Sequence, residues 1–591
     1  MNRIEDYALI GDTQTAALVG RDGSIDWLCL PAFDSPACFA ALLGDEGNGR
    51  WLLAPADPSA SCRRRYLDET LVLETTWHSP SGSVQVLDFM PPRGEAPDVV
   101  RIVRGLSGQV ELRSRLRLRF DYGHIAPWLR RLDDQVGAVV GPDAVWLRTP
   151  IDVDLDRSTA DATFTVRAGQ SVPFVLTWHR SYRPVPEPVD AEQALRGTTG
   201  FWTQWAGRAQ VPGRWQEPVM RSLITLKALT YQPSGGIVAA ATTSLPEQLG
   251  GSRNWDYRYC WLRDAGYTLQ TLLDAGYVTE AKAWREWLLR AVAGDPADLQ
   301  VLYSLSGRRR LPEWTVPWLP GYQGSAPVRV GNAAAEQFQL DVWGEVLDTL
   351  HRARVSPIGI EEDAWDLQTS LLEFLEGHWC DPDTGLWEVR GGPRQFVHSK
   401  VMAWAGFDRA VSAVERRGLD GPMERWRALR KQIHDEVCAR GFDPDRNTFT
   451  QFYGSHGLDA ALLLIPQVGF LPADDPRVVG TVEAIGRELF RDGFLLRYDP
   501  DADGDVDGQP GSEGAFLACT FWYADALALL GRRAEARAVF ERLLALRNDV
   551  GLLSEEYDTT SRQLVGNIPQ AYSHVFLVKT ARHLEPDTPT P

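Results

Sequence analysis

The sequence predicts a chain of two unlike parts. An antiparallel β-sandwich is expected over residues 1–205, a helical linker over 206–234 and a closed ring of helical hairpins over 235–591. Three observations predict this. The chain has 591 residues, too many for one ordinary core. Its first third alternates apolar and polar residues with a period of two, interrupted by turn residues. The remainder repeats the period of an amphipathic helix roughly a dozen times, with short Gly-, Pro- and Asp-rich connections.

Taken in order, strands are expected at Ser83–Phe89, Val110–Phe120, Ala144–Leu147 and Ala162–Val166, with Asp22-Gly23 and Pro80-Ser81-Gly82 among the turns. Pro184-Val185-Pro186-Glu187-Pro188 is a stiff connector. Linking helices follow at Ala191–Ala206 and Pro218–Leu229. The ring is then expected to use Tyr267–Ala275, Glu280–Ala293, Glu336–Arg352, Glu361–Glu376, Ser399–Arg416, Gly421–Arg440, Gly480–Leu489, Phe516–Leu530 and Arg533–Leu546. In such a ring the loops at one end line a funnel, so chemistry is sought in loops.

Composition narrows the function classes. With 79 acidic against 61 basic residues the net charge is −18, which repels phosphate backbones and anionic lipid. No nucleic-acid or membrane partner is therefore expected, and a neutral small molecule suits the surface better. The seven cysteines stand singly, without a CxxC pair, which argues for reduced thiols. The amino terminus carries no apolar signal segment, and no apolar run approaches membrane-spanning length, so the expected address is the cytoplasm. Twenty-two tryptophans are an excess. Core packing accounts for most, but an indole also matches the face of a sugar ring.

Four loops carry candidate chemistry. Glu247–Asp264 packs Trp255, Tyr257, Tyr259 and Trp261 beside Arg253, Arg258 and Arg263, with Asp264 next to Arg263. Such a segment can grip hydroxyls while a ring stacks alongside. Gly385-Leu386-Trp387-Glu388 sets a carboxyl beside an indole, whose apolar face would favour the protonated acid. Ser554-Glu555-Glu556-Tyr557-Asp558 offers carboxylates able to hold and activate a water. Taken one at a time, the last two would pass for solvated turns. Leu495-Leu496-Arg497-Tyr498 precedes an acidic run in which Asp503, Asp505, Asp507 and Gly508 have calcium-loop spacing. The twelfth position is Gly514, and Glu513 falls one short. That run is read as a flexible acidic loop, with no metal and no cofactor expected. No P-loop, GxGxxG, HExxH or GxSxG occurs in a suitable context.

Together these segments resemble glycoside hydrolase family 15, the family of glucoamylases, prokaryotic trehalases and isomaltose-acting glucohydrolases. The likeness begins with Ile4–Asp12 and Gly23–Pro31. It continues through Asn254–Asp264 and Gly385–Glu388, and ends with Leu553–Asp558 and Pro569–His574, so it spans the chain. The resemblance implies that the ring is an (α/α)6 barrel, with Glu388 as general acid and Glu555 as general base. It places Arg263, Asp264, Trp387 and Arg497 around the non-reducing-end glucose, with Tyr257 near the reacting centre. Trp261 and Glu556 complete the set of candidate substrate-binding residues. The implied activity is inverting, exo-acting hydrolysis of an α-glucoside.

One departure bears on the substrate. Starch-acting members commonly carry a second glutamate after the acid, whereas this chain has Val389 and Arg390. A small α-glucoside is therefore expected, with trehalose, isomaltose and short malto-oligosaccharides all open. A glucoamylase acting on starch-type glucans, an inverting disaccharide phosphorylase and a non-catalytic sugar-binding protein are the other readings. The sequence leaves open the oligomeric state, a homo-oligomer included, and the parts of Glu513, Glu556 and His398.

Overall fold

Residues 2–132, 135–211, 213–356, 358–359, 362–499 and 506–585 are described by the computed structural model. The expected Glu361 helix start and the acidic positions Asp501–Asp505 lie outside them.

The amino-terminal part is antiparallel throughout, in two sheets that share one long strand, Asp98–Arg117. The first half of that strand pairs with Gly82–Phe89 and Ser171–Arg180, in register Val100↔Phe89 and Val100↔Val175. Its second half pairs with Arg50–Pro55 and Thr159–Arg167, with Leu112 opposite both Pro55 and Phe164. The crossover falls near Gly108, whose φ of +59° and approach to the Ser81 carbonyl leave no room for a Cβ. Beyond it the alternation expected from sequence is observed, with Val110, Leu112, Ser114 and Leu116 buried and the intervening residues outward. Trp51 and Phe164, from one sheet, both meet Phe174 of the other, so the apolar faces pack on each other. Helix α1 (Ala191–Ala206) closes one flank, setting Ala191 and Leu195 against Val72, Phe89 and Val100.

Helix α2 (Gln216–Ala228) leads into the helical part. There the helices are α3 (Leu262–Asp274), α4 (Val278–Val292), α5 (Asp341–Val355), α6 (Glu362–His378), α7 (Val397–Arg417), α8 (Met423–Arg440), α9 (Pro476–Glu488), α10 (Leu517–Leu529), α11 (Arg533–Leu544) and α12 (Ala571–Leu584). Their contacts run in a circle. Helix α3 packs on α5, α5 on α7, α7 on the 3-10 turn Ala460–Leu464, that turn on α10, α10 on α12 and α12 back on α3. The other helices lie against members of this circle.

The structure departs from the sequence expectation at three helices. Helix α3 begins five residues early, so Arg263 and Asp264 sit in its first turn rather than in the preceding loop. Helix α5 begins at Asp341 rather than Glu336, leaving Gln337 in extended chain. Helix α12 was not expected at all: Ala571 to Val578 is apolar or small on nearly every side and buried throughout, so it carries no amphipathic signal.

The two parts are tied through the segments quoted at the amino terminus. The Trp27 indole donates to the Ala241 carbonyl at 2.9 Å. Arg258 reaches back to the Ser35 carbonyl and the Tyr122 hydroxyl, both at 2.9 Å. The sandwich therefore buttresses the loop that carries Tyr257.

Candidate active site

The first wall of the site is the segment Asn254–Asp264. Its period of two divides labour. Asp256 and Arg258 point away from the cavity and form a fully buried ion pair at 2.6 Å, while Trp255, Tyr257 and Trp261 line the cavity. A buried pair of this kind is costly to break from one side, so it fixes the backbone on either side of Tyr257. Arg263 and Asp264 follow in the first turn of α3.

The second wall is the turn before α7. Asp383 accepts hydrogen bonds from the Leu340 and Gly385 amides, at 3.0 and 3.1 Å, and from the Ser399 hydroxyl at 2.8 Å. Gly385 has φ +65°, and a Cβ there would lie 2.8 Å from the Phe396 ring. Glu388 itself has φ +58°, a conformation that costs a non-glycine residue about 1–2 kcal/mol. The turn thus aims Glu388 inward, sends Val389 outward against Phe396 and Val506, and returns Arg390 to the cavity. The Trp387 indole donates to both Asp459 oxygens, at 2.9 and 3.1 Å, which fixes its ring.

The third wall is the strand pairing of Glu556–Asp558 with Ala515–Phe516. Successive side chains of a strand face opposite sides, so Glu555 enters the cavity and Glu556 turns behind it. Glu556 is fully buried, accepts from the Gly514 amide at 2.8 Å and is not a lining residue. Arg497 completes the enclosure, with its guanidinium 5.2 Å from the Trp387 ring centre and Nε 2.8 Å from Glu513 Oε1.

One cavity of about 820 Å³, its open mouth included, is lined by Tyr257, Trp261, Arg263, Asp264, Trp387, Glu388, Arg497 and Glu555. Of the residues proposed from sequence, only Glu556 stands outside it. Glu388 Oε1 accepts from the Trp261 indole at 2.8 Å and lies 3.6 Å from Arg263 Nη2. Its contact is therefore an N–H and a cation, not the apolar indole face expected from sequence. Glu555 Oε1 accepts from the Tyr257 hydroxyl at 2.6 Å.

The geometry can be set beside known proteins. Residues 213–582 match the model of glycosyl hydrolases family 15, and residues 1–199 match the trehalase-like N-terminal model. The chain belongs to glycosyl hydrolase family 15. It is 35% identical to a protein named trehalase from Thermoplasma volcanium, across 99% of this chain and 94% of that one. It is 36% identical to a trehalase from Mycobacterium tuberculosis, across 98% and 89% respectively. Among solved structures, a bacterial glucoamylase complexed with acarbose superposes with a TM-score of 0.73 at 12% identity, covering 98% of this chain. That likeness shows the shared fold.

As a family 15 glycosidase the chain has a densely charged site. Burial pushes Glu555 up to about 8, with the nearby charge of Glu247 adding to the effect. Glu247 is raised to about 7 by burial, opposed chiefly by Arg497. Glu556 is raised well above the usual range by burial and by Glu247. Asp264 is held near 6 by burial, with Arg263 pulling the other way. His398, left open by the sequence, is buried behind Arg263 and pushed down to about 3, so it is neutral.

Glu247, Glu513 and Glu556 each bring one oxygen within 4.8 Å of the others, the nearest approach to a cation cradle among the described residues. Arg253 and Arg497 already stand among them, with Arg253 Nη1 2.9 Å from Glu513 Oε2 and Arg497 Nη2 3.6 Å from Glu247 Oε2. Those guanidiniums supply the compensating charge. Asp507, read from sequence as part of a flexible acidic loop, is likewise buried and paired with Arg253.

Sequence reasoning left several lining residues off its list of candidates, among them Glu247, Trp255, Gln337, Arg390 and Tyr572. Glu247, Trp255 and Arg390 stood inside or beside quoted motifs, and the alternation of the first wall would have picked out Trp255. Gln337 lies in extended chain with no local pattern to mark it.

Proposed function

We propose that the chain is an inverting, exo-acting α-glucoside hydrolase whose substrate is trehalose. Glu388 is the general acid, Glu555 the general base, and the circle of helices is an (α/α)6 barrel. The observation that carries the assignment is that Glu388 and Glu555, far apart in sequence, enter one cavity from different walls. Inversion needs a pair of carboxyls about 6.5–9.5 Å apart, with room for water between them. Glu388 gives its proton to the glycosidic oxygen as the C1–O bond breaks. Glu555 takes a proton from the water that attacks C1 from the opposite face. Arg263, Asp264 and Arg497 bind the hydroxyls of the glucosyl unit that is transferred to water, and Trp387 offers it a fixed flat side.

A base must be ionised, and three contacts favour that form of Glu555 against burial: the Tyr257 hydrogen bond, the charge of Arg497 and the Asn567 backbone amide. Full-length similarity to proteins named trehalases favours trehalose over glucans. Seven free thiols support a cytoplasmic address. A proton-NMR time course on trehalose tests the whole reading. Inversion at one centre yields one β-glucose and one α-glucose per turnover, before mutarotation. Release of α-glucose alone would refute inversion, and phosphate-dependent formation of glucose 1-phosphate would refute hydrolysis.

A further inference from the structure

Trp255, a lining residue of the cavity, has two guanidiniums against its ring. Arg329 and Arg390 both lie over it, each guanidinium carbon 4.5 Å from the ring centre. Glu313 ties the two cations together, 3.4 Å from Arg329 Nε and 3.3 Å from Arg390 Nη2. The indole N–H is fixed in turn by Glu247 Oε1 at 2.9 Å. Arg329 is anchored further by the Ser252 carbonyl at 2.7 Å, and the Arg390 amide by the Asp507 carbonyl at 2.7 Å. Such a stack holds a guanidinium in one plane and reduces the rotamer freedom it would lose on binding.

Position along the cavity gives this stack a task. Arg263 and Arg497 are at the closed end, each side chain 10% exposed, whereas the Arg390 side chain is 36% exposed. Glu388, two residues before Arg390, must lie beside the bond that breaks. An exo-acting enzyme that holds the terminal glucose at the closed end therefore has its leaving sugar between Glu388 and the mouth, against Arg390. An indole flanked by guanidiniums presents little free apolar face for a sugar chain to stack on. It offers directed N–H donors instead, and Nε and Nη1 of Arg390 have no hydrogen-bond partner among the described residues.

We propose that Arg390 is the specificity-determining residue of the leaving-group site, where it grips the hydroxyls of a single hexose, and that Trp255, Arg329 and Glu313 are its positioning residues. This rests on the hydrolase reading above and adds the leaving group it selects. The step itself is unchanged: the grip operates on binding and on the departing sugar, and no proton passes through Arg390.

The test compares trehalose with α-D-glucosyl fluoride, whose leaving group has no sugar ring. Arg390→Ala is expected to lower kcat/KM on trehalose by about 10–100-fold, chiefly through KM, as for lost hydrogen bonds from a charged donor. On the fluoride the change is expected to stay within about threefold, because the contacts of the glucosyl unit are intact. Arg390→Lys keeps the charge but not the planar fork, and is expected to recover little on trehalose. Trp255→Phe, which keeps a ring and loses the Glu247 tether, is expected to show the same selectivity at smaller size. Parallel loss on both substrates, or unchanged trehalose kinetics in Arg390→Ala, overturns the assignment. A wild-type enzyme inert toward both substrates overturns the hydrolase reading itself, a result distinct from parallel loss in an active enzyme.

Discussion

Replacing Tyr257 with phenylalanine removes one hydroxyl and leaves the ring that packs on Trp261 at 5.4 Å. The hydroxyl donates to Glu555 Oε1 at 2.6 Å and so favours the carboxylate over the acid. A hydrogen bond to a charged group contributes about 1.5–3 kcal/mol, and about 1.4 kcal/mol corresponds to one pH unit of titration. Burial already pushes Glu555 up to about 8, well above an ordinary glutamate at 4.5. Losing the bond disfavours the charged form further, so the sign of the change is upward. In Tyr257→Phe the acid limb of the kcat/KM profile on trehalose should move up by about 1–2 pH units. Below the limb the rate should fall about 10–100-fold, and the gap should narrow as pH rises past it. The assay is initial-rate glucose release from about pH 6 to about pH 11, wide enough to span the shifted limb, with circular dichroism at each pH to confirm the fold. An unmoved limb, or one displaced to lower pH, would refute the claim that Tyr257 acts by stabilising ionised Glu555.

Two other substitutions probe the same fold. Gly566 has φ +74°, and a Cβ there would lie 2.6 Å from Glu555 Oε2 and 2.7 Å from Glu555 Cβ. Gly566→Ala should cost about 1–2 kcal/mol of stability for the backbone conformation. By displacing the carboxylate it should also lower kcat about 10²-fold; wild-type kcat in this variant would contradict the placement of Glu555. Glu345, buried on α5, is pushed up to about 8 by burial and then by Asp341 and Asp348, from an ordinary 4.5. A folded value raised in this way means that the stability it contributes is fully present below pH 4.5 and is lost as pH rises through 8. Glu345→Gln keeps the uncharged shape at all pH, so its stability relative to wild type, measured by urea denaturation, should improve between pH 5 and pH 9. Parallel curves for the two proteins would disprove it.

Much of this molecule was legible as one-dimensional pattern. Alternation along Val110–Leu116 and the helical period of Ala191–Ala206 report local burial, which side-chain periodicity records directly. The motifs around Tyr257, Glu388, Arg497 and Glu555 pointed to residues that line one cavity, because each is a compact local arrangement. What failed was wherever burial came from all sides or from a distant partner. Helix α12 is buried on every side along Ala571–Val578, so no period marked it, and Tyr572 was quoted within a motif but given no role. The neighbour of Glu388 proved to be the Trp261 N–H, reached across 127 residues, rather than the adjacent indole.

The sequence by itself determined which segments are strands or helices, and which loops hold carboxylates, arginines and indoles in concentrated form. Only the tertiary structure decided which of those side chains share a cavity. Strand pairing turned Glu555 inward and Glu556 into the wall, a choice that neighbours in sequence cannot make for themselves. Closure of the helical circle, and the return of Arg390 onto Trp255, depend on contacts between residues distant in the chain. Local propensity carries no record of such contacts; they exist only once the chain has paid the entropy of bringing its distant parts together.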